Sequence, residues 1–453
     1  MVEILPIETP SLGDRSYLAH DGVSALVVDP QRDIDRVTGL ADAVGVRITH
    51  VVETHIHNDY VSGGLALARD TGARYLVNAA DPVPFARDPV GDGDVVEVGA
   101  DLRVRVLATP GHTFTHLSYL LESGGQVMAV FTGGSLLYGS TGRPDLLGPD
   151  HTDALAHAQY ASAHRLAREV PDAAAILPTH GFGSFCAATQ TQADSSTMGR
   201  ERAVNPVLRQ GEADYVRTLL AGLDAFPTYY AHMGPANTAG PGGADLSPPR
   251  RAEPEELRRR IEAGEWVVDL RDRKAFAAGH LRGSLSFTLD RSFASYLGWA
   301  IPWGTPLTLL GATPEQVSEA QRELARIGID RPAAASTGDA EDWTGGRPPA
   351  HLRLASFTDL AAARGRPDVV VLDVRRRLEW TAGHIPGARH IPFHELPARA
   401  DEIPDGEVWI HCRTGYRSTV AASMLAARGR TAVSVDDDFT NAEGAGLPLT
   451  TEA

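Results

Sequence analysis

The chain has 453 residues, of which 43% are apolar and 22% charged, and a formal net charge of −16. That length suits about three domains of ordinary size, and so acidic a surface argues against a nucleic-acid or anionic-membrane partner. No apolar run approaches the roughly 18 residues of a membrane span, Met1-Val2-Glu3-Ile4 shows no basic stretch ahead of an apolar one and predicts no secretory signal, and two cysteines cannot frame a disulfide-built fold, so a reducing cytoplasm is the expected location.

Residues 1–238 carry most of the histidines. Three strand-like stretches there each run into a histidine-bearing loop. Residues 48–52 lead to Thr54-His55-Ile56-His57-Asn58-Asp59-Tyr60, residues 102–107 to Pro110-Gly111-His112-Thr113, and residues 175–177 to Thr179-His180-Gly181. Histidine is the commonest ligand of borderline metals, and His-x-His-x-Asp on one short loop offers several ligands to one point. A single histidine is more often structural, but three such loops together predict a metal centre. Cys186 follows in His180-Gly181-Phe182-Gly183-Ser184-Phe185-Cys186. It reads as a small apolar filler, with contact to a sulfur substrate as the functional alternative.

Ala239-Gly240-Pro241-Gly242-Gly243 through Pro248-Pro249 reads as a linker, and 331–349 as a second. Beyond the first linker the sequence repeats itself. Asp269, Arg271, Phe276, Gly279, His280 and Gly283 recur as Asp373, Arg375, Trp380, Gly383, His384 and Gly387, each pair 104 positions apart, as 373 is from 269. A constant offset over several residue types indicates a duplicated domain, with copies at 250–330 and 353–453. Each copy alternates helical and strand patterns, which implies a parallel sheet with helices on both faces. The first copy has no cysteine, and the region matching Cys412 falls near Thr308-Leu309-Leu310.

In the second copy Cys412 opens Cys412-Arg413-Thr414-Gly415-Tyr416-Arg417-Ser418, between the strand pattern of 408–410 and the helical pattern of 418–428. A thiol on such a loop faces backbone N–H groups and a helix N-terminus. Arg413 and Arg417 add positive charge, so a thiolate is expected there. A cysteine merely buried behind a strand would not be accompanied by glycine and two arginines.

The run Asp-x-Arg, Gly-His-Ile-Pro-Gly-Ala, Cys-Arg-Thr-Gly-Tyr-Arg-Ser in 353–453 resembles the rhodanese family of sulfurtransferases. The resemblance implies that Cys412 carries a persulfide sulfur. A six-residue loop, Cys412 to Arg417, suits a single sulfur atom, where the longer loops of related phosphatases wrap a phosphate. The copy at 250–330 resembles an inactive rhodanese with a structural or docking role.

The segments 54–64, 110–116, 131–146 and 229–237 resemble the metallo-β-lactamase superfold, an αββα sandwich with its metal at one sheet edge. More narrowly they are similar to its persulfide dioxygenase branch, the ethylmalonic encephalopathy protein family, which is known fused to rhodanese domains. In that branch iron is held by two histidines, at the positions of His55 and His112, and by an aspartate. Here Gly134, in Thr132-Gly133-Gly134, stands where the aspartate is expected. The superfamily's first metal position, His55, His57 and His112, is complete. Its second keeps only Asp59 and His180, with Tyr60 in a ligand's place. The resemblance therefore implies one metal on a three-histidine face, Fe(II) ahead of Zn(II), with Asp145 or a water as an alternative filler of the gap. Aspartate at 134 is expected to complete a two-histidine-one-carboxylate face.

The implied function is oxidation of a low-molecular-weight persulfide, of glutathione or coenzyme A for example, by O2 to sulfite, coupled to sulfur transfer through Cys412 that joins sulfite and thiosulfate. Two alternatives stay open: a thioester hydrolase of the hydroxyacylglutathione hydrolase type, and a sulfurtransferase with a non-catalytic front domain. Assembly as a homo-oligomer is also left open.

Overall fold

The computed structural model describes residues 2–189 and 193–451, in two compact units: Met1–Asp245 with Ala325–Gly328, and Leu246–Leu324 with Ile329–Ala453.

The first unit is built on two six-stranded sheets. β1 (Glu3–Thr9), β2 (Asp14–His20), β3 (Ser24–Val28), β4 (Arg47–Val52), β5 (Arg74–Asn78) and β6 (Asp88–Val90) pair in chain order. β7 (Val95–Glu97), β8 (Arg103–Ala108), β9 (Leu117–Ser123), β10 (Gln126–Gly133), β11 (Ala175–Pro178) and β12 (Ser196–Thr197) form the second sheet, also in chain order. Alternate residues of the facing strands form one core: Tyr17, Leu26, Val28 and Val52 from the first sheet, with Val104, Val106, Tyr119, Leu121 and Phe131 from the second. The other side chains of these strands cannot face water, because β-branched and leucine residues point both ways, and helices cover them. The helices Asp35–Val44 and Gly64–Thr71 bury Val37, Ala41, Leu65 and Leu67 against the first sheet. Helix Pro149–Glu169 buries Ala156, Ala163 and Leu166 against the second. The layers are therefore α, β, β, α, as expected.

The stranding brings the histidine loops together. β3, β4, β5 and β6 are parallel, as are β10 and β11. The loops leaving β4, β8, β10 and β11 carry His55–Asp59, His112, Gly134 and His180 respectively. A bridge between Asp14 and His180 ties the start of β2 to the end of β11.

The second unit holds two all-parallel sheets. One has the order β14 (Leu285–Ser286), β13 (Trp266–Asp269), β15 (Leu307–Gly311), β16 (Ala334–Thr337). The other has the order β17 (Arg353–Ala355), β21 (Ala432–Val435), β20 (Glu407–His411), β18 (Val369–Asp373), β19 (Arg389–His390). The repeated residues do the same work in both. Arg271 forks onto Asp269 and reaches the Gly279 carbonyl at 2.8 Å, and Arg375 does so with Asp373 and the Gly383 carbonyl at 2.8 Å. His280 stacks on Phe276 at 3.9 Å and His384 on Trp380 at 3.7 Å. This signature is a buried ion pair that fixes the turn after β13 and after β18. The constant offset does not extend to the active loop. β15 ends at Gly311 where β20 ends at His411, so Ala312, rather than the 308–310 region, occupies the place of Cys412.

Candidate metal centre and cysteine loop

The histidine end of the sandwich is closed to solvent: His55, His57, Asp59, His112, His116 and His180 are all at most 2% exposed. Hydrogen bonds fix what each ring can do. The Thr54 hydroxyl donates to Asp29 Oδ2 at 2.7 Å and so must accept from His55 Nδ1 at 2.9 Å. His112 Nδ1 donates to the Arg143 carbonyl at 2.8 Å, and His180 Nδ1 donates to Asp14 at 3.0 Å. All three rings carry their proton on Nδ1 and turn Nε2 inward. His112 Nε2 is buried without a hydrogen-bond partner, and His180 Nε2 lies 3.4 Å from His55 Nε2. Ligand atoms of His55, His112 and His180 all fall within 4.8 Å of one another. Three convergent nitrogens, each oriented by an outer acceptor on its far nitrogen, are the donor set of a metal site, so the residues present fit a cation.

The surrounding charge points the same way. Burial and the neighbouring histidines push His55 well below the usual imidazole range, and burial beside His180 takes His112 down to about 3. Burial opposes protonation of His180 as well, but Asp59 at 3.1 Å and Asp14 hold it up at about 10. Asp14 and Asp59 thus favour positive charge at His180.

This differs from the expected set. Ligand atoms of His57 do not join those of His55 and His112. Its Nε2 lies 3.3 Å from Asp29, 3.3 Å from Glu53 and 3.0 Å from the Tyr60 hydroxyl. Burial would lower it, yet the two carboxylates, Asp29 foremost, keep His57 up at about 9. Its Nδ1 faces inward without a hydrogen-bond partner, and His57, Asp59 and His180 form a second gathering within 4.8 Å. The two gatherings share His180, whose Nδ1 is taken by Asp14, so its one remaining lone pair serves a single metal. Asp145 does not fill the gap, because it is committed to Arg143 at 2.6 and 2.7 Å.

Gly134 also has a physical explanation. Its N–H donates to His116 Nε2 at 3.0 Å, and a Cβ built on it would lie 2.3 Å from His112 Cδ2. The His112 ring occupies the space that an aspartate side chain would need. Contrary to the sequence expectation, Gly134→Asp should drive His112 out of line and reduce metal content per chain by at least about tenfold. Metal analysis of the purified variant checks this, and the tight backbone on which the clash rests implies a lower thermal midpoint as well.

Several residues here escaped the sequence reading. Asp29 is a non-glycine residue at φ 49°. It accepts from the Thr54 amide at 2.6 Å and from the Thr54 and Thr179 hydroxyls, joining the ends of β3, β4 and β11. Such a conformation persists only where surroundings over-determine it. The one signal was a carboxylate closing an apolar strand, in Val27-Val28-Asp29-Pro30. His116 has both ring nitrogens engaged, with Thr109 at 2.9 Å and Gly134, and packs on His55 at 4.9 Å. Asn237 clamps the loop by donating to the His57 and Tyr60 carbonyls, each at 2.8 Å. Cys186 is fully buried, with its thiol facing Asp59 and Tyr230. Burial and the Asp59 charge push that thiol well above its usual range, so it is a protonated donor and not a nucleophile.

In the second unit Cys412 follows β20 directly. Its Sγ accepts from the Gly415 N–H at 3.2 Å and lies 3.6 Å from Ser418 Oγ. Helix Tyr416–Ala427 starts beneath it. Gly415 has φ 97°, and a Cβ there would lie 2.1 Å from Asp436 Oδ1. Only glycine allows this loop to curl under the sulfur. Gly415→Ala should cost about 2 kcal/mol of stability and most of any Cys412-dependent activity, read from a denaturant midpoint and a rate. Arg417 is buried and paired with Glu379 at 2.6 and 2.8 Å, so its charge is already met. Arg413 and Thr414 are exposed; Arg413 lines an open cavity of about 420 Å³ with Arg375, Glu379, Asp438 and Phe439. The Tyr416 hydroxyl donates to the Thr288 carbonyl at 3.0 Å, so it anchors the first copy to the loop.

Comparison with known proteins agrees with both halves. Residues 15–180 match the model of the metallo-beta-lactamase superfamily, and 253–345 and 356–443 each match the rhodanese-like domain. A hydroxyacylglutathione hydrolase of Acidiphilium cryptum is 30% identical over 233 residues, 48% of this chain and 95% of that protein. A solved metallo-beta-lactamase from Staphylococcus aureus is 28% identical and covers 75% of this chain and 99% of its own, at a TM-score of 0.66. The structure of ETHE1 from Myxococcus xanthus is 28% identical over 52% of this chain and 98% of its own, at a TM-score of 0.45. The chain belongs to the metallo-beta-lactamase superfamily through its front half and carries two rhodanese-like domains behind it.

Proposed function

We propose that this protein is an enzyme of sulfur metabolism that oxidises a thiol-bound persulfide at the histidine centre and moves sulfane sulfur through Cys412. The observation that carries it is the meeting, on one chain, of a single all-nitrogen metal face without the bridging carboxylate and a cysteine loop sized for one sulfur. The front reaction is RSSH + O2 + H2O giving RSH, SO3²⁻ and two protons. Fe(II), when bound, supplies the redox chemistry that O2 requires, and three neutral nitrogens hold it as readily as they hold Zn(II). His55, His112 and His180 would hold the ion, Asp14 and the Arg143 carbonyl orient two of those rings, and burial of the site excludes bulk water.

At Cys412 the thiolate attacks the outer sulfur of a persulfide, the S–S bond breaks, and the carrier leaves as a thiolate. Sulfite then takes the sulfane sulfur as thiosulfate, and Cys412 returns to the thiolate. The Gly415 N–H stabilises negative charge on sulfur at each stage. The carrier is a low-molecular-weight thiol such as glutathione or coenzyme A.

One observation favours a second reading, hydrolysis of a glutathione thioester: the identity shared with the Acidiphilium hydrolase over 95% of its length. That chemistry needs an activated water at neutral pH, and the gathering of His57, Asp59 and His180 shares His180 with the first. Supplying the metal-loaded protein with glutathione persulfide and with a glutathione thioester decides between them. Oxygen consumption with the first supports the proposal, and thioester cleavage without oxygen consumption overturns it.

A further inference from the structure

The first rhodanese-like copy has no nucleophile, yet it places charge at the nucleophile of the second. Arg273 opens the helix Arg273–Ala278 of the first copy, and its Nε bonds Asp436 Oδ1 at 2.6 Å. Asp436 follows β21 of the second copy and packs against Gly415, whose N–H caps Cys412 Sγ. Burial opposes the Arg273 charge, and the Asp436 carboxylate holds its pKa above the usual arginine value. Tyr296 of the first copy continues this wall, with its ring 5.4 Å from Tyr416 and 5.0 Å from Phe393.

Charge accounting shows why this matters. Sulfur transfer to or from sulfite brings a dianion against an anionic cysteine persulfide. Arg417, at the far end of the loop, has both Nη groups taken by Glu379. Two cations that can meet the dianion are the exposed Arg413 and, from the other copy, Arg273. Arg273 meets Asp436 through Nε, and among the described residues no partner takes its two Nη groups. Its side chain is 29% exposed, so the open side of the guanidinium can receive a ligand. A guanidinium fork matches a three-oxygen anion as it matches a carboxylate.

We infer that Arg273, supplied by the cysteine-free copy, is a specificity-determining residue that binds the three-oxygen end of sulfite or thiosulfate and aims its sulfur at Cys412. The inference rests on the sulfur-transfer reading above. In the donor half-reaction the Cys412 thiolate attacks the sulfane sulfur of thiosulfate, the S–S bond breaks, and its electron pair leaves on sulfite. A charge of −3 stands on each side, and Arg273 stays with the departing sulfite.

The test is steady-state transfer from thiosulfate to cyanide by the full chain, for wild type, Arg273→Gln and Arg273→Lys. Loss of one charge-assisted contact is expected to raise the KM for thiosulfate roughly ten- to a hundredfold, with kcat within about twofold. Lysine keeps the charge without the fork and should fall between. A persulfide donor lacking a sulfonate should be used equally well by all three, a split that a purely structural role would not give. Should Arg273→Gln lose its thermal midpoint, the sulfite inhibition constant of Arg273→Lys reads the same contact. An unchanged thiosulfate KM and sulfite inhibition, in an active enzyme, overturn the inference alone. Absence of transfer by the wild type overturns the sulfur-transfer reading and this inference with it.

Discussion

Serine at position 412 is expected to lower thiosulfate-to-cyanide transfer by roughly a thousandfold or more, since no other group can perform the displacement. The effect follows from the loop and not from the fold. Cys412 is 1% exposed, and its Sγ sits between the Gly415 N–H and Ser418 Oγ. A hydroxyl fits this space, so the thermal midpoint should stay near that of wild type. The first copy cannot compensate, because Ala312 stands where the cysteine would be. Cys186 cannot either, being sealed beside Asp59 with its proton held. Stopped activity with an intact melting curve is the expected pair of readings, and retention of more than a tenth of the rate would move the nucleophile elsewhere.

The second large effect separates two histidines that look alike in sequence. His180→Ala removes one of three convergent nitrogens, and metal binding should weaken more than about a hundredfold, since even the loss of an outer hydrogen-bond partner costs roughly ten- to a hundredfold. His57→Ala should act mainly on folding. It leaves Asp29 and Glu53 buried against each other without the imidazolium between them, a loss of about 3–5 kcal/mol. The same pair gives a pH dependence. The His57 pKa is raised in the folded chain, to about 9, so the stability it adds is fully present below the unfolded value near 6.5 and is lost as pH rises through about 9. In metal-free protein, the wild type should lose stability over that window more steeply than His57→Ala, as measured by urea midpoints from pH 6 to 10.

The contrast also shows what the sequence could and could not tell. Strand-then-histidine patterns placed His55, His112 and His180 on loops at one sandwich end, and the 104-residue offset exposed the duplication, because both are periodic or local signals. The choice of ligand nitrogens was not local. His57 is drawn away by Asp29 and Glu53, from the ends of β3 and β4, and His180 is turned by Asp14, from the start of β2. Those contacts span up to 166 residues of sequence. The meaning of Gly134 was likewise hidden. As a missing ligand it suggested a gap, whereas the packing shows the space filled by the His112 ring. In the second unit the repeated Asp-x-Arg and Gly-His residues were legible as a repeat but not as an ion pair holding a turn. The four-residue shift between Ala312 and the 308–310 region arises because the connection from β13 to β15 is longer than that from β18 to β20.

The most direct measurement is metal content with oxygen uptake on the purified full chain, given glutathione persulfide under reducing conditions. Iron near one per chain, with uptake that follows persulfide and disappears in His180→Ala, is the predicted result. Zinc or no metal, with no uptake even after loading with Fe(II), would contradict it.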